Sequence, residues 1–198
     1  MEKNLPPKSF FKKNPLDQMS AAVIADSFCM LSAIDRLNEE LERIVDDDIS
    51  EERRDKIRQD KQVIEALDSG EAVEAYMRKD HDIVVDYLFL KKALTLIEDA
   101  APLVLKRYKT IAQDRFIELA FRLLANADER YAKQLFADYA RIRDPYAKAA
   151  ACLLFGEHKM QESVPLLMAE YDRFRTDYLE ESYSQFPLLA LYILAGKA

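Results

Sequence analysis

Residues 144–172 read DPYAKAAACLLFGEHKMQESVPLLMAEYD, and this stretch decides the fold. Asp144 is a good helix N-cap, because its carboxylate can accept a bond from an orphan backbone N–H of the first turn. Pro145 follows at the first helical position, where the missing donor is not needed. Ala147, Ala149, Ala150 and Ala151 carry high helix propensity. Leu153, Leu154 and Phe155 lead to Gly156, which is placed to cap the first helix. A polar turn follows at Glu157-His158-Lys159. Pro165 then falls in the first turn of a second helix, where it removes no required bond. That helix runs through Leu167 and Met168 to Tyr171.

Working outward, the same arrangement recurs. A capping residue opens each unit and a Tyr sits late in its second helix. Ser50 leads to Tyr76, Asp82 to Tyr108, Asp114 to Tyr139 and Asp144 to Tyr171, at separations of 26, 26, 25 and 27 residues. Asp177 opens a last, partial unit. The starts at 50, 82, 114, 144 and 177 are spaced 32, 32, 30 and 33 residues apart. Val104-Leu105, Leu135-Phe136 and Leu167-Met168 precede the Tyr by four and three positions, on one helical face. Gly70, Pro102, the polar step from Asn126 to Glu129, and Gly156 mark the break between first and second helices. A period of this length is the mark of stacked hairpins, since one hairpin cannot bury its own apolar face. A plain helix bundle with coincidental spacing is the alternative.

The stretch 144–172 resembles a HEAT-like repeat of the phycobilisome-lyase type. The resemblance rests on the Asp-Pro opening, the Ala-rich first helix, Leu154-Phe155-Gly156, and Val164-Pro165-Leu166-Leu167 before an acidic turn. It extends to residues 114–143 and fades before Asp82. It implies an all-α protein, a right-handed α-solenoid of about four and a half stacked hairpins after an N-terminal helix. Small Ala residues would then let the two helices of a hairpin approach closely. Tetratricopeptide repeats have a similar period, but the first helices here lack that family's Trp and Gly-Tyr spacing.

Domain organisation follows. Residues 1–15 form an N-terminal arm with three prolines, Pro6, Pro7 and Pro15, which disfavour a helix. Its Lys residues and the pair Phe10-Phe11 suit a membrane or partner contact. Residues 16–198 form a single all-α domain, in which 16–48 is a helical segment with apolar residues at intervals of three and four. The acidic step Asp46-Asp47-Asp48 ends that segment.

Composition narrows the function. The chain has 198 residues, 49% of them hydrophobic and 33% charged, with three Gly and no Trp. So little Gly argues against tight-turned β architecture and Gly-rich phosphate loops. The net charge of −7 disfavours general nucleic-acid binding, although a local basic patch could override the total. No run approaches the length of a membrane span, which needs about 18 apolar residues. Cys29 and Cys152 lie in apolar stretches and read as buried, reduced thiols of a cytoplasmic protein.

The chemistry-bearing residues read mostly as structure. His81 and His158 sit among charged neighbours in turns and are expected at the surface. Asp46, Asp47, Asp48, Glu51 and Glu52 suit a helix N-terminus better than a cation loop. No catalytic residue, metal or cofactor is expected. The candidate partner-binding set is the Tyr column, Tyr76, Tyr108, Tyr139 and Tyr171, with Arg107, Arg141 and Arg173 beside it. Lys133, Asp138 and Glu170 also lie close by. The competing expectation is that these rings fill the gaps between neighbouring units.

The function expected is a protein–protein interaction or scaffold module using the concave face of a HEAT-like stack, and not an enzyme. One alternative is a DNA-glycosylase-like enzyme of HEAT-like fold, an analogy of fold alone. Another is a homodimer through the C-terminal helix, whose run from Phe186 to Leu194 is strongly apolar. That helix is expected to be well buried or to form the dimer contact.

Overall fold

The computed structural model describes residues 5–28 and 50–197, and among these are eleven α-helices and no strand. Two come first, α1 (Lys8–Lys13) and α2 (Gln18–Ser27). Then follow α3 (Glu51–Glu65), α4 (Gly70–Met77), α5 (Asp86–Thr95), α6 (Ile97–Tyr108) and α7 (Asp114–Ala125). The last four are α8 (Glu129–Ala137), α9 (Pro145–Glu157), α10 (Val164–Asp177) and α11 (Gln185–Leu194). Short 3-10 turns lie at Ile83–Val85, Tyr139–Arg141, Gln161–Ser163 and Ser182–Ser184. Cys29 and the triad Asp46, Asp47 and Asp48 lie outside the described residues, as does most of 16–48. No described helix is long and apolar enough to cross a membrane.

Local chemistry sets most helix starts. The Ser50 side chain accepts from Arg53 N–H, Ser69 from Ala72, Asp128 from Arg130 and Asp144 from Ala147. Asp82 accepts from Val84 N–H and opens the 3-10 turn before α5. Two expected starts differ. Asp114 is the first residue of α7, and Gln113 before it makes no side-chain cap. Asp177 is the last residue of α10, so the final helix opens only after the Ser182–Ser184 turn. Pro102 does not open a helix either. Leu96 closes α5 and opens α6 at once, which leaves Pro102 inside α6, on its exposed side.

Helices two apart in the chain meet. Contacts run from α3 to α5, α5 to α7, α7 to α9 and α9 to α11, and from α4 to α6 and α6 to α8. The α9–α11 contact is the most extensive. Every residue of α9 from Ala149 to Gly156 is buried, and a helix apolar on all sides belongs inside a protein. The helix meets chiefly α7, α8 and α11, and not α10, with which the sequence led one to expect a close hairpin.

Gly156 is not a cap. It lies within α9, and a Cβ there would stand 2.7 Å from both Cα and Cβ of Ala190 on α11. The left-handed residue near this helix end is Lys159, with φ 56°. Gly70 has a similar role at the start of α4, where a Cβ would stand 2.3 Å from the Asp99 carbonyl oxygen of α6. Both glycines mark places where two backbones come close.

The N-terminal arm folds back on the last helices. Pro7 and Pro15 bracket α1 instead of abolishing it. Phe11 is buried and meets Tyr192 edge-on, with ring centroids 4.9 Å apart. Phe10 meets Tyr171 at 5.7 Å. The Tyr192 hydroxyl donates toward the carbonyls of Asn14 and Phe11, at 3.1 and 3.2 Å. The Phe pair thus packs within the chain and is not offered to a membrane. Further on, α2 packs on α11, and Asp17 N–H donates to the Gln185 side chain. Phe28 closes the join against Phe121, Tyr146 and Phe186. These contacts, with α9 and α10, bury Phe186, Leu188, Leu191 and Leu194. The apolar C-terminal sequence is accounted for without a second copy of the chain.

The α9–α11 contact yields a prediction with a sign. At an open helical position Gly→Ala stabilises by about 0.5–1 kcal/mol. Gly156→Ala instead destabilises, by about 1–3 kcal/mol, because the added methyl meets the backbone of α11. Urea denaturation of the two proteins measures it.

Candidate functional site

The Tyr column is interior. Tyr76, Tyr108, Tyr139 and Tyr171 are 3%, 1%, 6% and 5% exposed. Three of their hydroxyls reach neighbouring elements, while that of Tyr76 is buried without a hydrogen-bond partner. Tyr108 donates to the Ala147 carbonyl of α9 at 2.8 Å. Tyr139 lies 3.5 Å from both the Lys148 carbonyl and Cys152 Sγ. Tyr171 donates to Asn14 Oδ1 at 3.0 Å, tying α10 to the arm. Tyr76 stacks on Phe89 of α5 at 4.8 Å. Burial pushes all four phenols above their ordinary range. It also pushes the Cys152 thiol up to about 12, which leaves little thiolate for reaction. The column therefore fills space between elements and presents no ring face to a partner.

The three arginines placed beside it diverge. Arg107 bonds Glu74 across α4 and α6 at 3.0 Å. Arg173 bonds Glu170 on its own helix and lies over the Phe174 ring. Arg141 alone faces an open depression of about 520 Å³, lined by Lys106, Lys109, Thr110, Ala140, Arg141 and Arg143.

This basic groove lies between the end of α6 and the 3-10 turn after α8. Arg143 N–H donates to the Lys109 carbonyl at 3.2 Å and holds its two sides together. Asp138 lies at the seam, 2.6 Å from Lys109 Nζ and 3.0 Å from Arg141 Nη1. The hydrogen bond from Lys109 is the main cause that holds the Asp138 carboxyl below its usual range. Lys106 and Arg143 are exposed and form no ion pair among the described residues. Four cations thus face one carboxylate, on a chain whose net charge is −7. The sequence reading missed Lys106, Lys109 and Arg143. A signal was there, because cations near a helix C-terminus sit well with its partial negative charge, and Lys106 and Arg107 end α6.

A second polar cluster is sealed inside. Asp86, in the first turn of α5, is 3% exposed. Arg122 of α7, also buried, bonds it at 2.9 Å, and Arg115 one face-repeat earlier bonds its other oxygen. His81 Nε2 stands 3.4 Å from the same carboxylate, and Nδ1 donates to the Lys79 carbonyl. His81 is thus buried, tilted against the Tyr76 ring at 4.6 Å, and not at the surface as its polar neighbours led one to expect. His158 also turns inward, donating from Nε2 to the Leu124 carbonyl at 3.0 Å. Among the described residues no group of three or more His, Cys, Asp or Glu is arranged to hold a metal ion. Glu51 and Glu52 stand exposed in the first turn of α3.

Comparison with protein-family models, with curated proteins and with solved structures gives no match for this chain.

The cluster at Asp86 reads as a structural clamp between α5 and α7. Removing one partner of a buried pair strands the other charge. Asp86→Ala is therefore expected to destabilise by about 3–5 kcal/mol. Adding Arg122→Met to that variant recovers part of the loss, because the stranded guanidinium goes with it. Chemical denaturation of the single and double variants gives both values.

Proposed function

We propose that this chain is a HEAT-like α-solenoid that acts as a protein-binding module, and that it takes an acidic segment of a partner in the groove of Lys106, Lys109, Arg141 and Arg143. Two observations support the architecture: first helices pack on first helices (α3, α5, α7, α9, α11), and α4, α6 and α8 pack in a parallel series. Stacking of that kind leaves a row of helix ends along one edge, and the groove lies on that row. The reading involves no catalytic step.

The observation that carries the function is the excess of cations in one depression of an acidic protein, four against the single carboxylate of Asp138. Like charges are gathered at a solvent-filled groove at some cost to the free protein, and a complementary partner relieves it. The groove is short and holds Asp138 at its seam. A duplex would need a longer run of cations, and phosphates would meet that carboxylate. A stretch of Asp and Glu can place single carboxylates on Lys106 and Arg143, with backbone N–H groups available to Asp138.

The test is fluorescence anisotropy with a labelled peptide of about 12 residues rich in Asp and Glu. The wild-type chain is expected to bind it at low ionic strength. Lys106→Glu with Arg143→Glu weakens binding roughly tenfold or more, with the circular dichroism unchanged. Equal binding by wild type and variant removes the groove from the function. A duplex of roughly 20 base pairs bound more tightly than the peptide, with a steep salt dependence, replaces the protein partner with nucleic acid.

A further inference from the structure

A second surface, independent of the basic groove, has the opposite character. The cleft between α2 and the α10–α11 connection has a volume of about 390 Å³. Its floor is four aromatic rings, Phe28, Tyr146, Tyr183 and Phe186, packed on one another at centroid distances of 5.3–6.0 Å. One wall is α2, with Met19 and Val23 one turn apart; the other carries Glu180 and Glu181.

We propose that this cleft binds a basic amphipathic helix of a partner protein. The apolar side of the argument is exposure. Met19 is 79% exposed and Val23 59%, and Leu179, next to Glu180 in the chain, is 82% exposed. Only two other large apolar residues are comparably exposed among the described ones, Val63 and Ile83. An apolar lip continuous with an aromatic floor is the form of a groove that takes helix side chains at i, i+3, i+4 and i+7. Methionine at such a lip adapts to different side chains at little cost. A small ligand within the cleft would leave Leu179, which is outside its lining, in water. A helix lying along the lip covers Met19, Val23 and Leu179.

Charge chooses the kind of helix. Glu180 and Glu181 are exposed and make no ion pair among the described residues. Asp114 and Asp144 stand at the starts of α7 and α9, near the same floor, and with Glu181 they raise the Tyr183 phenol beyond what burial does. The negative potential at this mouth favours Lys or Arg flanking the apolar face of the partner. Such cations also gain from the faces of Tyr146 and Tyr183.

The probe is an amidated peptide of about 18 residues made of Leu and Lys, with Leu at helical spacing, and a counterpart with Glu in place of Lys. Isothermal titration with the full chain is expected to give binding of the Leu/Lys peptide alone. Val23→Asp lowers its affinity at least tenfold, and Glu180→Lys with Glu181→Lys does the same. Glu51→Lys with Glu52→Lys makes an equal change of net charge on exposed residues of α3, and it leaves the affinity within about twofold. Val23 is exposed, so its variant should fold. If it does not, the Glu180 and Glu181 variant decides. The proposal is overturned if both peptides bind alike, if the α3 variant loses as much as the cleft variant, or if tetramethylammonium displaces the peptide at stoichiometric levels. It is overturned in favour of a second copy of this chain if the protein self-associates on sedimentation and Val23→Asp abolishes that.

Discussion

Helix α9 is enclosed by α7, α8 and α11, and the close approach of these helices is the constraint on which the array depends. A helix in that position can carry neither bulk on every side nor polar groups without partners. The stretch AAACLLFG meets both demands. Its small residues are buried together with Leu153, Leu154 and Phe155. Gly156 sits where α11 comes nearest, because even one methyl would overlap Ala190. The hydroxyl of Tyr108 then bonds a carbonyl in the first turn of α9 and fixes it relative to α6. The apolar C-terminal helix follows from the same demand, since it closes α9 on one side and is itself covered by the N-terminal arm.

Local chemistry was legible and long-range geometry was not. Ser50, Asp82 and Asp144 were readable as caps because a cap is decided within three residues. The same rule failed at Asp177, where α10 continues past the point at which an acidic residue could open a helix. Gly156 and Pro102 were read as punctuation. Both lie inside helices, because a close crossing required the one and an exposed face tolerated the other. The Tyr column was visible as a period, yet a period does not say which side of a layer a ring faces. Burial and hydroxyl partners up to 157 residues away place these rings inside. The buried clamp left a faint trace, a lone Asp86 within an apolar run and two arginines seven apart on α7. The groove joins residues 106–110 to 140–143, and no local pattern links those segments.

The charge of this protein is distributed rather than merely negative. Some exposed cations are answered by carboxylates on another element, as Arg53 is by Asp82 and Arg130 by Glu98. Surface pairs of that kind contribute little to stability and are screened by salt. Two regions carry an excess of one sign. One is the basic groove between α6 and α8. The other is the acidic, aromatic cleft beside α2.

Helix α9 packs against α7, α8 and α11, whereas α3 packs on α5 and the turn before it. Native-state hydrogen exchange read by mass spectrometry measures this directly. The amides from Ala149 to Gly156 are expected to exchange last, at the free energy of global unfolding, with α7 and α11 close behind and α3 opening first. Amides of α9 exchanging together with those of α3, or before them, would contradict it and leave a bundle without a centre.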